Sequence, residues 1–534
     1  MNQHGGFDAI VIGSGFGGVL AAWPLVHSGR RVLMIERGDW VARGPQNWAP
    51  DGVRELSPHY DQTTPYTVCG DDRGKAGALH CVGGGSVFYG GVSLRFREND
   101  FTSSPEEAAA GAVWPFDYAE LEPYYAAAES LIGVAGTAGA DATEPWRSTP
   151  YPQSLPGLSR IGCRIADAAS RLGLTPFRLP LAINYTRQAG RNTCVGCAHC
   201  DCYPCAISAK NDLASALLPE LLAHGLHLAH EHAVTRLVVK RSRVTGVQCS
   251  HTRTGQTRTF AADLVILAAG ALATPHILIS SELQAHNPAG RMIGHFLTRH
   301  CNAVVMGIFA RALDPAREFH KQIGINDLYF GDPSGNGPAG KLGTLQQIHG
   351  PPPGLVTHLL PGLVARFGLR LLDRMTGMIA IAADQPQYRN RVEVGTARNR
   401  LGMPEALVHH TYTRRDRQAR ATLARTASAV LREAGAVITL KLPVRTFSHA
   451  LGTVRMGNDP AAAPLAADGA FRGIDNLYIT DGSALPTPAG VNPSLTIAAL
   501  ALRTSCLIAG LSPAQQIRHT IPARRSISLE VIHV

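Results

Sequence analysis

The stretch Phe7-Asp8-Ala9-Ile10-Val11-Ile12 followed by Gly13-Ser14-Gly15-Phe16-Gly17-Gly18 decides how this chain folds. Its first six residues read as a buried strand, and the glycines at 13, 15 and 18 make a G-x-G-x-x-G loop opening a helix over residues 19–28. Arg30-Arg31 leads into a second apolar strand, residues 32–35, which ends on Glu36. Strand, glycine loop, helix, strand and acid, in that order, form a dinucleotide-binding unit. One glycine permits the turn out of the strand, one lets backbone approach a pyrophosphate, and one lets the helix pack closely on the sheet. The helix start offers unpaired N–H groups and a positive dipole end to phosphate. Glu36 would accept hydrogen bonds from ribose hydroxyls and repel a 2′-phosphate, which points to the ADP-ribose of NAD or FAD rather than NADP. Pro24 interrupts the helical pattern, so a kink or a lost hydrogen bond is expected there.

At 534 residues the chain is long enough for a large core and for two or more lobes around this unit. Hydrophobic residues at 45% and charged ones at 17% give a globular rather than a disordered composition. No stretch supplies the roughly twenty uninterrupted apolar residues of a membrane span. The chain enters its first strand almost at once, which leaves no room for a signal peptide and sets a cytoplasmic expectation. Lysine plus arginine outnumber aspartate plus glutamate by 50 to 40, for a formal charge of +10. These charges are dispersed, with only short groups such as Arg414-Arg415 and Arg524-Arg525, so nucleic acid is not expected as a partner. The excess reads as solvated surface favouring anionic partners or the dinucleotide itself.

Beyond Glu36 the sequence is polar and turn-rich to about Asp72, and then carries Gly83-Gly84-Gly85-Ser86, closed by Tyr89-Gly90-Gly91. Such a cluster suits backbone laid against a flat or phosphorylated ligand, or a flexible loop. Helices are expected over residues 117–131, with Pro123 inside, and over 159–172, 212–224 and 417–433. Residues 232–247 alternate as a hairpin with a turn near Thr245-Gly246. Residues 264–269 read as another buried strand ending at Gly270, with 271–280 helical. In a doubly wound sheet this second strand, small-residue turn and helix returns the chain to the same nucleotide. Turn signals across residues 330–365, including Pro351-Pro352-Pro353, predict a long loop serving as lid, channel wall or surface insertion.

Three segments near the C-terminus are more specific. They are Ser448-His449-Ala450-Leu451-Gly452-Thr453-Val454-Arg455-Met456-Gly457, Asn476-Leu477-Tyr478-Ile479-Thr480-Asp481-Gly482-Ser483, and Val491-Asn492-Pro493-Ser494-Leu495-Thr496-Ile497. With H-x-x-G-T-x-R-M-G, N-L-Y-x-x-D-G-S and N-P-x-x-T in this order, the chain resembles the glucose-methanol-choline (GMC) family of FAD-dependent oxidoreductases. The opening loop, the Gly83 cluster, Ala209-Lys210-Asn211 and Ala268-Ala269-Gly270 also look like family features, while residues 305–380 match only loosely. The resemblance implies an α/β fold: a Rossmann-like FAD-binding domain with a second, substrate-binding domain of mixed or antiparallel sheet. The expected FAD-binding domain is discontinuous, over residues 1–95, 190–305 and 448–515. Residues 96–189 and 306–447 would form the substrate domain and lid, and 516–534 a tail.

Oxidising an alcohol to an aldehyde or ketone removes the hydroxyl proton and passes the carbinol hydride to flavin N5. His449 matches the family histidine that takes the proton, a role suited to neutral imidazole. Asn492 matches the second active-site position, which would hold the substrate oxygen on preorganised donors. The resemblance implies cofactor contacts from Gly13, Gly15, Gly18, Glu36, Gly84, Gly85, Ser86, Tyr89, Val234, Asp481 and Pro493. Phe88-Tyr89 offer no histidine where some relatives attach FAD covalently, so noncovalent FAD is expected. The implied partners are a small-molecule alcohol, polar and sugar-like in preference to sterol-like, and oxygen, a quinone or a redox protein as electron acceptor. The rival readings are a dehydrogenase acting on a C–H bond beside a ketone and a flavin-binding electron-transfer subunit.

Five of the eleven cysteines, Cys194, Cys197, Cys200, Cys202 and Cys205, fall within a short stretch. Four soft ligands in one loop suit iron or zinc. The ferredoxin pattern C-x2-C-x2-C-x3-C-P is met only in part, since Ala206 follows Cys205, and a zinc ribbon needs a longer gap between its pairs. Buried thiols or local disulfides are favoured over an iron–sulfur cluster.

Overall fold

The computed structural model describes residues 6–48, 66–70, 76, 78–187, 190–313, 318–351, 353–359, 361–444 and 446–514, so the expected 516–534 tail lies outside the described residues. A five-stranded sheet runs, in spatial order, Leu477–Ile479, Ala262–Leu267, Phe7–Ile12, Val32–Ile35 and His227–Ala229. Every pairing in it is parallel, with Ile10 opposite Leu33 on one side and Val265 on the other. Strands covered on both faces must be apolar throughout, which is why residues 9–12 and 32–35 are fully buried. The helices Phe16–His27 and Ser494–Ala509, from opposite ends of the chain, pack together and merge into the same core. The first helix continues through Pro24, and Ser28 N–H still donates to Pro24 O at 2.9 Å. One missing donor does not break a helix whose face is wholly buried.

A second sheet, six-stranded and antiparallel, has the order Ala436–Pro443, Ala303–Phe309, Met375–Ala382, Gly343–His349, Ile323–Ile325, Pro176–Arg178. The long helix Arg414–Glu433 and the helix Arg160–Arg171 cover one of its faces. Val305, Leu345, Met378 and Ala380 point into that helical layer and form a core with Ala419, Leu423 and Ala427. Side chains alternate along a strand, so Val304, Thr344, Gln346 and Ile379 occupy the opposite face.

Three expectations need correction. The supposed 330–365 loop contains the interior strand Gly343–His349 and the helix Pro353–Leu359, followed by another helix, Gly362–Leu371. Gly343-Thr344-Leu345-Gln346-Gln347 is too polar to read as buried from its pattern, yet all five residues are buried because each face meets protein. The hairpin strands are His232–Lys240 and Arg243–His251, and the turn sits at Arg241-Ser242, not Thr245-Gly246. Arg241 and Ser242 both have positive φ, +47° and +58°, as a two-residue turn matched to strand twist requires. The long helix begins at Arg414 because Thr413 and Asp416 form a reciprocal capping box ahead of the apolar pattern.

Candidate active site

The glycines of the opening loop divide their tasks as their spacing implies. Gly13 turns out of the first strand at φ +102°, and a Cβ there would strike the backbone of Ala268 on the neighbouring strand's end. A Cβ on Gly18 would collide with the carbonyl oxygen of Gly13, so the helix lies as close to the strand as backbone allows. On Gly15 a Cβ would meet nothing within 4 Å. Gly84 approaches from the second cluster, its added Cβ 3.0 Å from Gly15 Cα, and Gly85 and Gly270 also face open space. No side chain caps the helix at Gly15 and no acid stands in its first turn. Bare N–H groups beside side-chain-free backbone suit a pyrophosphate, so the residues fit the ADP part of FAD.

Glu36 is buried at the end of the second strand. Its Oε2 accepts from Ser14 N–H at 3.0 Å and Ser14 Oγ at 2.6 Å, and its Oε1 accepts from Gly38 N–H at 2.8 Å. Burial raises its pKa and these bonds oppose the rise. A fourth bond, from the Arg37 backbone, also reaches this carboxylate, so the loop and the strand end together fix its position. His232 N–H donates to Glu36 O at 2.9 Å, which brings the start of the strand carrying Val234 beside the acid.

Asp481 accepts from Gly270 N–H at 2.9 Å, Thr274 Oγ1 at 2.5 Å and Ser483 N–H at 2.8 Å. It therefore clasps the second strand–turn–helix unit to the C-terminal segment. Ser86 faces inward, donating to Gly83 O at 2.6 Å and accepting from Leu213 N–H at 3.0 Å, so its hydroxyl supports the loop from behind. Tyr89 packs edge-on against Phe16 and donates to Asn211 O at 3.1 Å. The buried Lys210 ammonium donates to the carbonyls of Tyr89, Cys200 and Tyr203 at 2.7, 3.0 and 2.7 Å, pinning the cysteine loop to the glycine cluster.

Cys194, Cys197 and Cys205 are half-buried, Cys200 is buried and Cys202 exposed, and all are free thiols. Burial pushes the Cys194 thiol up to about 11, and Cys197 and Cys205 add to the rise. Among the described residues, the sets of three His, Cys, Asp or Glu ligand atoms within 4.8 Å of one another are His27–Glu220–His224 and Asp39–His230–Glu231. No cysteine takes part in either.

His449 lies in the turn after Phe447 and is half-buried, its Nδ1 2.9 Å from Nδ1 of His300. Burial first, then the neighbouring His300 and Lys321, hold its pKa down to about 3, so the ring is neutral. His300 is itself buried, and its Nε2 faces the carbonyls of Pro488 and Ala489 at 3.0 and 3.3 Å. That loop continues into Asn492, whose Oδ1 accepts from Gln346 Nε2 at 2.6 Å. Pro493 follows at the start of the helix Ser494–Ala509. The fold thus ties both candidate catalytic residues to one frame: His449 through His300, Asn492 through Gln346 of the antiparallel sheet.

His300, Gln346 and the Lys321–Asp201 ion pair were not singled out by sequence. His300 stands in a left-handed conformation at φ +59°, fixed by Asp384 accepting its N–H at 3.0 Å. No spacing signals such a residue, because its partners lie on distant segments.

The GMC oxidoreductase family matches residues 62–302 and 386–501. The chain is 30% identical over 526 residues to 6'''-hydroxyparomomycin C oxidase of Streptomyces lividus, covering 96% of this chain and 93% of the relative. It is 27% identical to 2-methyl-1,2-propanediol dehydrogenase of Mycolicibacterium austroafricanum, covering 93% and 94%. The crystal structure of pyridoxine 4-oxidase from Mesorbium loti shares the fold, with a TM-score of 0.67 at 18% identity over 95% of this chain and 100% of the other.

Proposed function

This chain belongs to the GMC oxidoreductase family, whose members bind FAD, and we propose on that premise that it oxidises a polar, sugar-like alcohol to an aldehyde or ketone. The observation that carries the reading is the neutral His449, held at Nδ1 by His300 beside the loop that leads to Asn492. Bound FAD would supply the redox chemistry by accepting hydride at N5. The glycines at 13, 15, 18, 84 and 85, with Glu36, Tyr89, Val234, Asp481 and Pro493, would hold it noncovalently. The hydroxyl proton would pass to His449 while Asn492 holds the oxygen as negative charge develops. No membrane-spanning helix occurs among the described residues.

The polar preference is supported by the sheet face turned away from the helices. Gln346 lies there against Asn492, and its Oε1 and the Thr344 hydroxyl are buried without a protein hydrogen-bond partner among the described residues. A polyhydroxylated substrate offers such acceptors donors beyond the hydroxyl being oxidised, whereas a sterol's single hydroxyl is the reacting one. The relative named for a hydroxyparomomycin also supports a polar alcohol. Residues 1–95, 190–305 and 448–515 would form the FAD-binding domain, with the middle segment cut back to 302 so that the strand Ala303–Phe309 stays whole in the antiparallel sheet.

Oxygen, a quinone or a redox protein would take the electrons. We place the cysteine loop as structural thiols. Iron and acid-labile sulfide in stoichiometric amounts would overturn that assignment. For the activity, the yellow protein is mixed anaerobically with sugar alcohols, simple diols and a sterol while flavin absorbance is followed. Bleaching by a polar alcohol that vanishes in His449→Ala is expected, and no bleaching by any alcohol would sink the reading.

A further inference from the structure

The catalytic assignment leaves open which nitrogen of His449 carries the proton, and the hydrogen bonds around His300 decide it. Nε2 of His300 faces two carbonyl oxygens, Pro488 O at 3.0 Å and Ala489 O at 3.3 Å. Carbonyls only accept, so this nitrogen bears the proton. The ring is 1% exposed, and burial holds it in the neutral form. A neutral imidazole with a proton on Nε2 has a lone pair on Nδ1. That lone pair meets Nδ1 of His449 at 2.9 Å, with the two rings close to perpendicular at 86°. His449 must therefore donate from Nδ1, and its Nε2 is left as the unprotonated nitrogen.

We propose that His300 is a positioning residue that fixes the tautomer of His449, presenting Nε2 as the proton acceptor. The inference rests on the proposed role of His449 as base. His300 is well placed for this because it does not move as a side chain alone. Its N–H donates to Asp384 Oδ1 at 3.0 Å and its carbonyl accepts from Tyr412 Oη at 2.8 Å, which hold the backbone in its left-handed conformation. The carbonyls it reads belong to the loop that carries Asn492, so the tautomer of the base is set by the same segment that presents the second catalytic residue. A histidine whose other nitrogen is fixed by a buried partner is a recurring way to make one ring nitrogen basic and aimed.

The test uses the flavin-loaded full chain with 15N-histidine labelling. The 15N shifts of His449, assigned by their loss in His449→Ala, should show a proton on Nδ1 and a bare Nε2. His300→Asn keeps an acceptor oxygen near the Nδ1 position and tolerates positive φ, and His300→Ala keeps neither property. With flavin content unchanged, His300→Ala should lower kcat about 100-fold and leave KM within about threefold. This is short of the roughly 10⁴-fold that a wrong tautomer costs a hydrolase triad. His300→Asn should recover to within about tenfold of the parent. A proton on Nε2 of His449 in the parent protein, or flavin-loaded His300→Ala with kcat within about threefold, would overturn the proposal. If His300→Ala fails to fold, the parent's nitrogen shifts and His300→Asn still decide it. If no alcohol bleaches the parent flavin, the functional reading falls, while the shifts judge the tautomer separately.

Discussion

The hydroxyl of Thr480 donates to the carbonyl oxygen of Gly17 at 3.0 Å, joining residues 463 positions apart. Thr480 O in turn lies 2.5 Å from where a Cβ on Gly17 would stand. Gly17→Ala should therefore push the C-terminal segment off the opening loop, lower the melting temperature and reduce bound flavin. Gly15→Ala adds its methyl to open space and should leave flavin-free stability unchanged while lowering flavin affinity. The flavin-to-protein absorbance ratio and the melting temperature, read on both variants, separate the two effects. Equal melting temperatures for both variants would contradict this geometry.

Lys210 satisfies three buried carbonyls, and its removal strands them. Lys210→Met should cost about 3 kcal/mol or more and release the cysteine loop from Tyr89. Denaturant titration measures the first effect. The second should appear as faster reaction of Cys200 with a thiol reagent in native buffer, since that thiol is buried in the parent.

Arg95 lies between Glu122 and Glu129, with Nε and Nη2 on the Glu129 carboxylate at 2.9 and 2.8 Å and Nη1 on Glu122 at 2.9 Å. All three side chains are buried. Arg95→Ala leaves buried Glu122 with only Ser148 as donor, while Glu129 keeps Arg147 at 3.0 Å, and should destabilise the fold by about 3 kcal/mol. A loss below about 1 kcal/mol in urea unfolding would show that solvent or another cation reaches the pair.

The pKa of His449, depressed to about 3, predicts a pH profile without the usual histidine limb. The base is neutral above that value, so kcat/KM should stay level as pH falls through 6.5 and decline only as it nears about 3–4. A clear break at 6–7 in the kcat/KM profile, absent in the profile for flavin loading, would count against it.

His276 donates from Nε2 to Pro404 O at 2.7 Å, and burial holds its pKa down to about 4. Between pH 6.5 and 4 the unfolded chain binds a proton that the folded chain refuses. Stability is therefore lost as pH falls through that window, by up to about 1.4 kcal/mol per pH unit from this group. His276→Gln keeps a donor for Pro404 and should flatten the acid limb of a stability-against-pH curve by that slope.

Much of the fold was legible because its signals are local. Asp117 caps the helix Tyr118–Ile132 and Ser159 the helix Arg160–Arg171, where a capping side chain followed by an apolar period announces a helix. The strand Gly343–His349 is not legible because a strand buried on both faces, with threonine and glutamine on one of them, looks like loop sequence. In the site, motifs marked His449, Asn492 and Asp481, while Gln346 and His300 stand outside every motif.

The sequence by itself determined the opening strand, glycine loop, helix and second strand that end on Glu36, because these depend on residue type and spacing within some thirty positions. Only the tertiary structure decided what surrounds the base. His300, Pro488 and Gln346 come from segments far apart in the chain, and it is packing that brings a carbonyl to one nitrogen of His300 and His449 to the other. A proton's position follows from such contacts, and no spacing of residues along the chain encodes it.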